Sequence, residues 1–326
     1  MKKVKFLIPF LFLTQIVFAW GFYGHKMVNR LAVFSLPPEM FAFYKAHIDY
    51  LTENSVNPDK RRYSDTAEAC RHYIDLDHYE KNLPIDTVPR FWNDAVNKLT
   101  KDTLLAYGIV PWHIQVMIQR LTYAFKDNDI DKILRISAEL GHYVADAHVP
   151  LHASENYNGQ YTNQNGIHGF WESRLPELFS TEYDLFVGKC FYLKNPLETA
   201  WQASEGSFAA LDTVLGFESK LNNIFDQSKK YSIEYRGQTQ IKTYSKEYSL
   251  AYHQMLSGQV ERRLKASILT VANMWYTAWV DAGQPDLNNL VKDKKQTKPT
   301  DAEMQQIITE EQRLLNENRM IGREEK

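Results

Sequence analysis

Histidine and carboxylate side chains are concentrated in one short stretch of the sequence, GHYVADAHVPLH. His142 and Asp146 are four residues apart, so on a helix they would lie on one face. Pro150 predicts the end of that helix, and His152 can then turn back toward the pair. His148, six residues from His142, would point elsewhere. A single pair of this kind is more often part of a helix whose polar groups only form hydrogen bonds, so a metal site needs further ligands.

A second pair follows after a polar loop. In IHGFWES, His168 and Glu172 are again four residues apart on one predicted helical face. Both pairs and His152 therefore fall within residues 142–172. This density of nitrogen and oxygen ligands is typical of zinc sites.

Apolar residues at three- and four-residue intervals predict helices around these side chains. The strongest patterns cover residues 114–125, 130–147 and 258–281. Strand signals are scarce, and we find no internal repeat. Polar and proline-containing breaks predict loops at residues 56–64, 83–89 and 153–166. We therefore predict an all-α protein with a single multi-helix domain over residues 20–290.

The N-terminus, MKKVKFLIPFLFLTQIVFA, has the features of a signal peptide at residues 1–19. Val17 and Ala19 are small residues spaced for cleavage after Ala19, which would leave Trp20 as the first residue. An uncleaved anchor is the alternative, but the apolar run is short of the roughly 20 residues that a span needs. No cysteine follows the run, which argues against a lipoprotein. We expect a periplasmic or secreted bacterial protein.

Charge and cysteine content exclude several classes of protein. A formal net charge of −2 argues against electrostatic wrapping of duplex DNA, although bound metal ions could supply positive charge in a nucleic-acid enzyme. Cys70 and Cys190 could form one disulfide at most, and neither lies in a CxxC pair. Residues 291–326 are rich in Lys, Glu and Gln and are expected to form a charged tail that is partly helical. No obligate protein partner is inferred.

With these side chains in view, the sequence resembles the superfamily of zinc-dependent phospholipases C and single-strand-specific zinc nucleases. Its members carry an N-terminal Trp, then His, Asp and His, an H-x-x-x-D motif, a further His and a final H-x-x-x-D/E motif. Candidates for all these positions occur here in the same order, in roughly the first half of the mature chain. The metal ligands that the resemblance implies are Trp20, His25, Asp59, His72, His142, Asp146, His152, His168 and Glu172.

Two of these assignments depend on separate observations. In the superfamily, the free α-amino group and the carbonyl of the first residue bind zinc, and the predicted cleavage would create that amine at Trp20. His72 lies in RHYID, which matches the superfamily pattern around this ligand. Asp59, in NPDKRR, is preferred for its spacing to His72. Other aspartates compete for that role: Asp65, Asp75 and Asp77.

The resemblance implies a helical fold with three zinc ions at the bottom of a cleft. One ion would be held by Asp59, His72, His142 and Asp146, a second by Trp20, His25 and Asp146, and the third by His152, His168 and Glu172. Asp146 would bridge two ions about 3.5–4 Å apart, which makes it a catalytic residue. A zinc-bound hydroxide, formed because the ions lower the pKa of water to about 7, would attack the phosphorus of a diester.

Two further residues have candidate roles. Arg62 lies where the nuclease branch carries a basic residue near the phosphate, and it could stabilise charge on a phosphate oxygen as a catalytic residue. A surface arginine is an equally good interpretation. Tyr73 could bind substrate by stacking on a base, or it could be a core tyrosine.

The substrate is predicted from small differences between the branches. The compact WGFYGH start and Arg62 favour an endonuclease or nucleotidase that acts on single-stranded DNA or RNA. Glu172, where nucleases use Asp, and the length of the loop before His168 favour a phospholipase C that acts on phosphatidylcholine-like lipids. A non-catalytic zinc-binding protein is disfavoured by the complete ligand set. We therefore predict a zinc-dependent phosphodiesterase, with the nuclease as first choice.

Overall fold

The computed structural model describes residues 21–62, 64–81, 84–236 and 239–290. Over these residues the chain is mainly α-helical, which confirms the predicted all-α class. The α-helices are α1 (Gly21–Ala32), α2 (Pro38–Ala46), α3 (Ile48–Asn54), α4 (Asn57–Arg61), α5 (Leu76–Glu80), α6 (Trp92–Leu99), α7 (Lys101–Tyr107), α8 (Val110–Lys126), α9 (Ile130–Ala147), α10 (Ile167–Gly169), α11 (Leu175–Phe179), α12 (Pro196–Ile224), α13 (Lys246–Met255) and α14 (Gln259–Asp281).

The long predicted helices are present. α9 has the predicted bounds, and the Asp129 side chain caps its first turn by accepting a hydrogen bond from the backbone N–H of Lys132. α8 includes the predicted segment 114–125, and α14 begins at Gln259, one residue after the predicted start of the third segment. The prediction of a loop over residues 56–64 was wrong in part, because α4 lies within it. Pro58 occupies the first turn of α4, where a helix tolerates the missing N–H.

The core is formed where α1, α8, α9, α12 and α14 pack together. Large aromatic side chains fill it, and Trp171, Trp201 and Trp275 are fully buried. The indole N–H of Trp275 donates to the Ser137 carbonyl at 3.0 Å, so a hydrogen bond joins α14 to α9 in addition to the packing of their side chains. This core fixes α9, which carries two candidate ligands.

A close approach of α1 and α9 depends on Gly141. A β-carbon at this position would lie 1.9 Å from the Asn29 side-chain oxygen, so only glycine fits. The Asn29 amide donates to the carbonyls of Leu51 and Ala138 and so ties α1 to α3 and α9. The next residue on α9 is His142, whose ring stacks on that of His25 from α1 with 3.8 Å between centroids. The small residue thus brings two candidate ligands together.

One β-hairpin was not predicted. Strands β1 (Tyr231–Arg236) and β2 (Thr239–Tyr244) pair antiparallel, with Tyr231 opposite Tyr244 and Arg236 opposite Thr239. The hairpin packs against the ligand-bearing region through Tyr244, whose ring stacks on Phe170 with 3.8 Å between centroids.

Several predictions concern parts of the chain outside the described residues. These are the signal peptide at residues 1–19, the ligand Trp20 and the tail at residues 291–326. Cys70 and Cys190 are not joined by a disulfide. No helix within the described ranges combines the length and apolar character needed to cross a membrane.

Candidate metal centre

The first group of candidate ligands assembles around α9. His72 Nδ1 lies 2.8 Å from Asp146 Oδ2 and 3.0 Å from His142 Nε2. His142 Nε2 lies 3.2 Å from Asp146 Oδ2 and 3.6 Å from Asp59 Oδ1. All four residues are buried. α4, α9 and the segment after Arg71 thus bring together the four residues that the resemblance implies around one ion.

Backbone carbonyls orient two of the histidine rings. His142 Nδ1 donates to the Ser55 carbonyl at 2.8 Å, and His152 Nδ1 donates to the His72 carbonyl at 2.7 Å. Because a carbonyl only accepts, each ring carries a proton on Nδ1 and turns Nε2 toward the other candidate ligands. The Ile74 N–H returns a bond to the His152 carbonyl at 2.9 Å, which ties the two segments together.

His25 lies beside the first group. Its Nε2 is 3.4 Å from Asp146 Oδ1, the oxygen that faces away from His72. The ligand atoms of His25, Asp59 and His142 also lie within 4.8 Å of one another. His25 is therefore within reach of Asp146, as the resemblance implies, and of Asp59 as well. Trp20, the other expected ligand at this position, lies outside the described residues.

The third group comes from the segment after α9. Pro150 begins a 3₁₀-helix, Pro150–Ala153, that carries His152. His168 Nε2 lies 3.1 Å from His152 Nε2 and 3.1 Å from Glu172 Oε1. His168 and Glu172 do not share an α-helix as predicted, because α10 ends at Gly169 and a π-helical turn, Phe170–Arg174, carries Glu172. The wider turn still leaves both side chains facing His152.

The donor atoms fit zinc. Atoms about 2.0–2.2 Å from a tetrahedral zinc ion lie roughly 3.3–3.6 Å from one another. The separations within the groups, from 2.8 Å between His72 Nδ1 and Asp146 Oδ2 to 3.8 Å between His72 Nδ1 and Asp59 Oδ1, span that range. Both ring nitrogens of His25 and both carboxylate oxygens of Asp59 and Glu172 are buried without a hydrogen bond to any described residue. Such atoms are costly unless a ligand satisfies them. Metal ions bound by one nitrogen of His25 and by the carboxylates would satisfy most of them.

The charges of the centre also favour a cation. Burial would raise the pKa of Asp146, but His142 and His152 hold it well below its usual range. Burial raises the pKa of Asp59, although Arg62 lies close enough to oppose the rise. The centre thus concentrates carboxylates that need positive charge nearby, which metal ions can supply.

Comparison with known proteins agrees with this geometry. The model of the S1/P1 nuclease family matches residues 20–268, which is most of the chain. The chain belongs to the S1/P1 nuclease family. A family of zinc-dependent nucleases accounts for the density of buried histidines and carboxylates, and membership of it confirms the predicted superfamily.

Among solved structures, the chain is similar to the alpha-toxin of Clostridium perfringens isolated from an avian strain. The two share 17% sequence identity, with a TM-score of 0.46. The alignment covers 81% of this chain and 65% of the toxin, so the chain spans just under two thirds of that protein's length. No curated protein matches the chain.

Three residues that were considered but not chosen as metal ligands, His148, Asp65 and Asp77, have other contacts. His148 Nδ1 donates to the Val144 carbonyl at 2.8 Å, and its Nε2 lies 3.4 Å from the Thr270 hydroxyl, on α14. Asp65 accepts from the Ala67 N–H. Asp77 accepts from the Ser154 hydroxyl and the Glu155 N–H.

The prediction that Tyr73 stacks on a substrate base was wrong. Tyr73 is only 3% exposed, and its hydroxyl donates to the Ala106 carbonyl at 3.2 Å. Gly108 lies against its ring so closely that a β-carbon there would be 2.5 Å from a ring atom. Tyr73 is therefore the core tyrosine of the alternative interpretation. Arg62 is half-buried at the end of α4, close enough to Asp59 to affect its pKa.

Glu68 was missed altogether. It is fully buried, and its Oε1 lies 3.4 Å from His72 Nε2, on the side of the ring away from Asp146. Burial would raise its pKa, but His72, Arg61 and Arg71 hold the pKa well below its usual range. The signal in the sequence was an acidic residue between arginines and four positions before a predicted ligand.

Proposed function

We propose that the chain is a three-zinc nuclease that hydrolyses phosphodiester bonds of single-stranded DNA or RNA. The observation that carries the proposal is the assembly, in an S1/P1 nuclease family member, of buried histidine and carboxylate groups whose donor atoms have zinc-ligand spacing. The number of ions and the choice of a single-stranded substrate are part of the proposal.

Each group of residues would hold one ion. The first is Asp59, His72, His142 and Asp146, the second His25, Asp146 and the main chain of Trp20, and the third His152, His168 and Glu172. Zinc supplies a Lewis acid that lowers the pKa of water and offsets negative charge on phosphate oxygens. Asp146 presents one oxygen to His72 and His142 and the other to His25, which suits a carboxylate shared by two ions.

The chain itself orients the reacting groups. Hydrogen bonds from His142 to Ser55 and from His152 to His72 fix the ligand faces before substrate arrives, so little reorganisation is required. Arg62, which follows α4, would hold a non-bridging phosphate oxygen, because its positive charge is close enough to the first group to oppose the burial-raised pKa of Asp59.

A phospholipase C that acts on phosphatidylcholine-like lipids is the second candidate. Glu172 favours it, because the phospholipase branch of the superfamily uses Glu where the nucleases use Asp. The same zinc chemistry would serve both substrates, so only the substrate distinguishes them.

The test uses untagged mature protein loaded with zinc. Hydrolysis of single-stranded DNA, duplex DNA and phosphatidylcholine vesicles is compared with and without chelator, and zinc is then restored. Chelator-sensitive cleavage of single-stranded DNA is expected, with recovery on zinc addition. Cleavage of the vesicles alone would transfer the protein to the phospholipase branch, and cleavage by metal-free protein would contradict both candidates.

We also propose that the protein is secreted or periplasmic, with cleavage after Ala19. Support comes from the apolar segment that precedes Trp20 and from the start of the family match at residue 20. Mass spectrometry of the exported protein should give an N-terminal peptide that begins at Trp20.

A further inference from the structure

Glu68 lies on the outer side of a candidate ligand. It precedes the 3₁₀-helix Ala69–Arg71, which places its carboxylate beside the His72 ring. Glu68 Oε1 is 3.4 Å from His72 Nε2, whereas His72 Nδ1 faces the ligand group, 2.8 Å from Asp146 Oδ2. The imidazole ring thus lies between a buried carboxylate that binds no metal in the proposed scheme and the centre itself.

Three side chains hold Glu68 in place. Arg71 Nη1 donates to Oε2 at 2.8 Å, and Arg61 Nε donates to the same oxygen at 3.2 Å. The Tyr143 hydroxyl donates to Oε1. A buried carboxylate surrounded by two guanidinium groups is compensated and stays ionised. Its remaining contact on Oε1 is with His72.

This arrangement is linked to another ligand through α4. Arg61 is on the same short helix as Asp59, and it also donates to Glu139 Oε1 of α9 at 2.6 Å. Glu68, Asp59 and α9 are therefore held together by one guanidinium. A substitution at Glu68 that kept its negative charge beside Arg61 and Arg71 would affect His72 and leave the contacts between α4 and α9 in place.

The chemistry of imidazole gives this contact a consequence. In the neutral ring, one nitrogen carries the proton and the other has a lone pair. An ionised carboxylate only accepts, so Glu68 favours the proton on Nε2 and leaves the Nδ1 lone pair for a metal ion. Carbonyls do the same for His142 and His152, with the roles of the two nitrogens reversed.

We propose that Glu68 is a positioning residue that fixes the tautomer and orientation of His72 for metal binding. The inference rests on the proposed function, since it assumes that His72 binds zinc. Glu68 acts through His72 and touches neither substrate nor metal. A carboxylate in this position also increases the basicity of the ring, which strengthens binding of the first ion.

The experiment measures zinc affinity and does not depend on activity. Full-length mature protein, wild type or variant, is equilibrated with graded zinc–chelator buffers, and bound zinc is counted by mass spectrometry. Glu68→Asp keeps the charge beside the arginines but withdraws the carboxylate from His72, and Glu68→Gln removes the charge. Glu139→Gln is the matched control, because Glu139 shares Arg61 but not His72.

We expect the affinity of one ion to fall about 10–100-fold in Glu68→Asp, while the remaining ions bind as in wild type. Glu139→Gln should bind all ions as wild type does. Melting temperatures of the chelated proteins provide the second readout: a positioning role predicts that chelated Glu68→Asp melts near chelated wild type, while its stabilisation by zinc shrinks.

Two results would overturn the positioning role. One is unchanged zinc affinity in both Glu68 variants. The other is weaker binding of every ion together with a lower melting temperature of the chelated protein, which would show a purely structural role. If wild-type protein binds zinc and cleaves DNA while both Glu68 variants bind zinc as wild type does, this inference alone is overturned. Wild-type protein that binds no zinc would overturn the proposed function itself.

Discussion

Replacing Asp146 with Asn should remove two zinc ions at once. Asp146 Oδ2 is 2.8 Å from His72 Nδ1 and 3.2 Å from His142 Nε2, and Oδ1 is 3.4 Å from His25 Nε2, so each oxygen belongs to a different group. Asp146 Oδ1 is also 3.6 Å from His152 Nδ1. That nitrogen donates to the His72 carbonyl and does not face the third group. Asp146→Asn should therefore reduce bound zinc from about three ions to about one.

The loss of activity follows from the same count. A catalytic metal ion contributes several kcal/mol to transition-state stabilisation, so losing the ions that share Asp146 should lower the rate at least about 10³-fold. Zinc is counted by mass spectrometry after dialysis, and rates are measured on single-stranded DNA. Glu172→Gln should lose only the third ion. Asp77→Asn, a half-buried carboxylate that accepts from Ser154 and Glu155, should keep all of them.

An Asp146→Asn protein that keeps about three zinc ions would refute the role of Asp146 as a shared ligand. That role also fails if Asp146→Asn and Glu172→Gln each lose the same single ion, because Asp146 would then serve one group only. Circular dichroism and the melting temperature of the chelated variants would show whether any loss of zinc follows from unfolding.

The other predictions concern residues around the centre. Extra residues ahead of Trp20 should lower zinc content by about one ion, since the free amine is lost; a tagged protein with full zinc and full activity would contradict that role. Arg62→Ala should lower kcat on DNA about 10²-fold with unchanged zinc, and equal kcat for variant and wild type would remove Arg62 from the mechanism. Tyr73→Phe should cost about 1 kcal/mol of unfolding free energy in urea melts through its lost hydrogen bond to Ala106; an unchanged free energy of unfolding would contradict that role. Burial lowers the pKa of His113 well below its usual value. Below about pH 6.5 the unfolded chain therefore takes up a proton that the folded chain does not, and the free energy of unfolding decreases as the pH is lowered. His113→Phe should make that decline shallower in urea melts of chelated protein between pH 6.5 and 5, and parallel pH curves for the two proteins would refute the assignment.

The sequence was sufficient to predict α9 and its two candidate ligands, because helical periodicity is a local property. The same four-residue spacing predicted His142 and Asp146 on one face, and the structure has both within reach of His72. Choosing Asp59 over Asp65, Asp75 and Asp77 required the resemblance. The structure pairs two of these three alternatives, Asp65 and Asp77, with backbone and hydroxyl donors.

What the sequence did not show depends on contacts between distant segments. Glu68 gains its place only when Arg61, Tyr143 and His72 converge on it. The π-helical turn at Glu172 follows from packing that periodicity does not report. The hairpin carried a weak signal, an alternating pattern on either side of Gly237, but short strands without a long apolar face are hard to distinguish from loops.

The spacing of the ligands along the chain sets an order in which the centre can assemble during folding. His152 and His168 are separated by 16 residues, whereas His72 and Asp146 are separated by 74. Closing the longer loop costs about 1.4 kcal/mol more in chain entropy, before any packing compensates for it. Zinc that meets the chain before folding is complete can thus be captured by the His152, His168 and Glu172 group, and that ion would cross-link the polar loop early. The two ions proposed to share Asp146 could bind only after α1, α4 and α9 have docked.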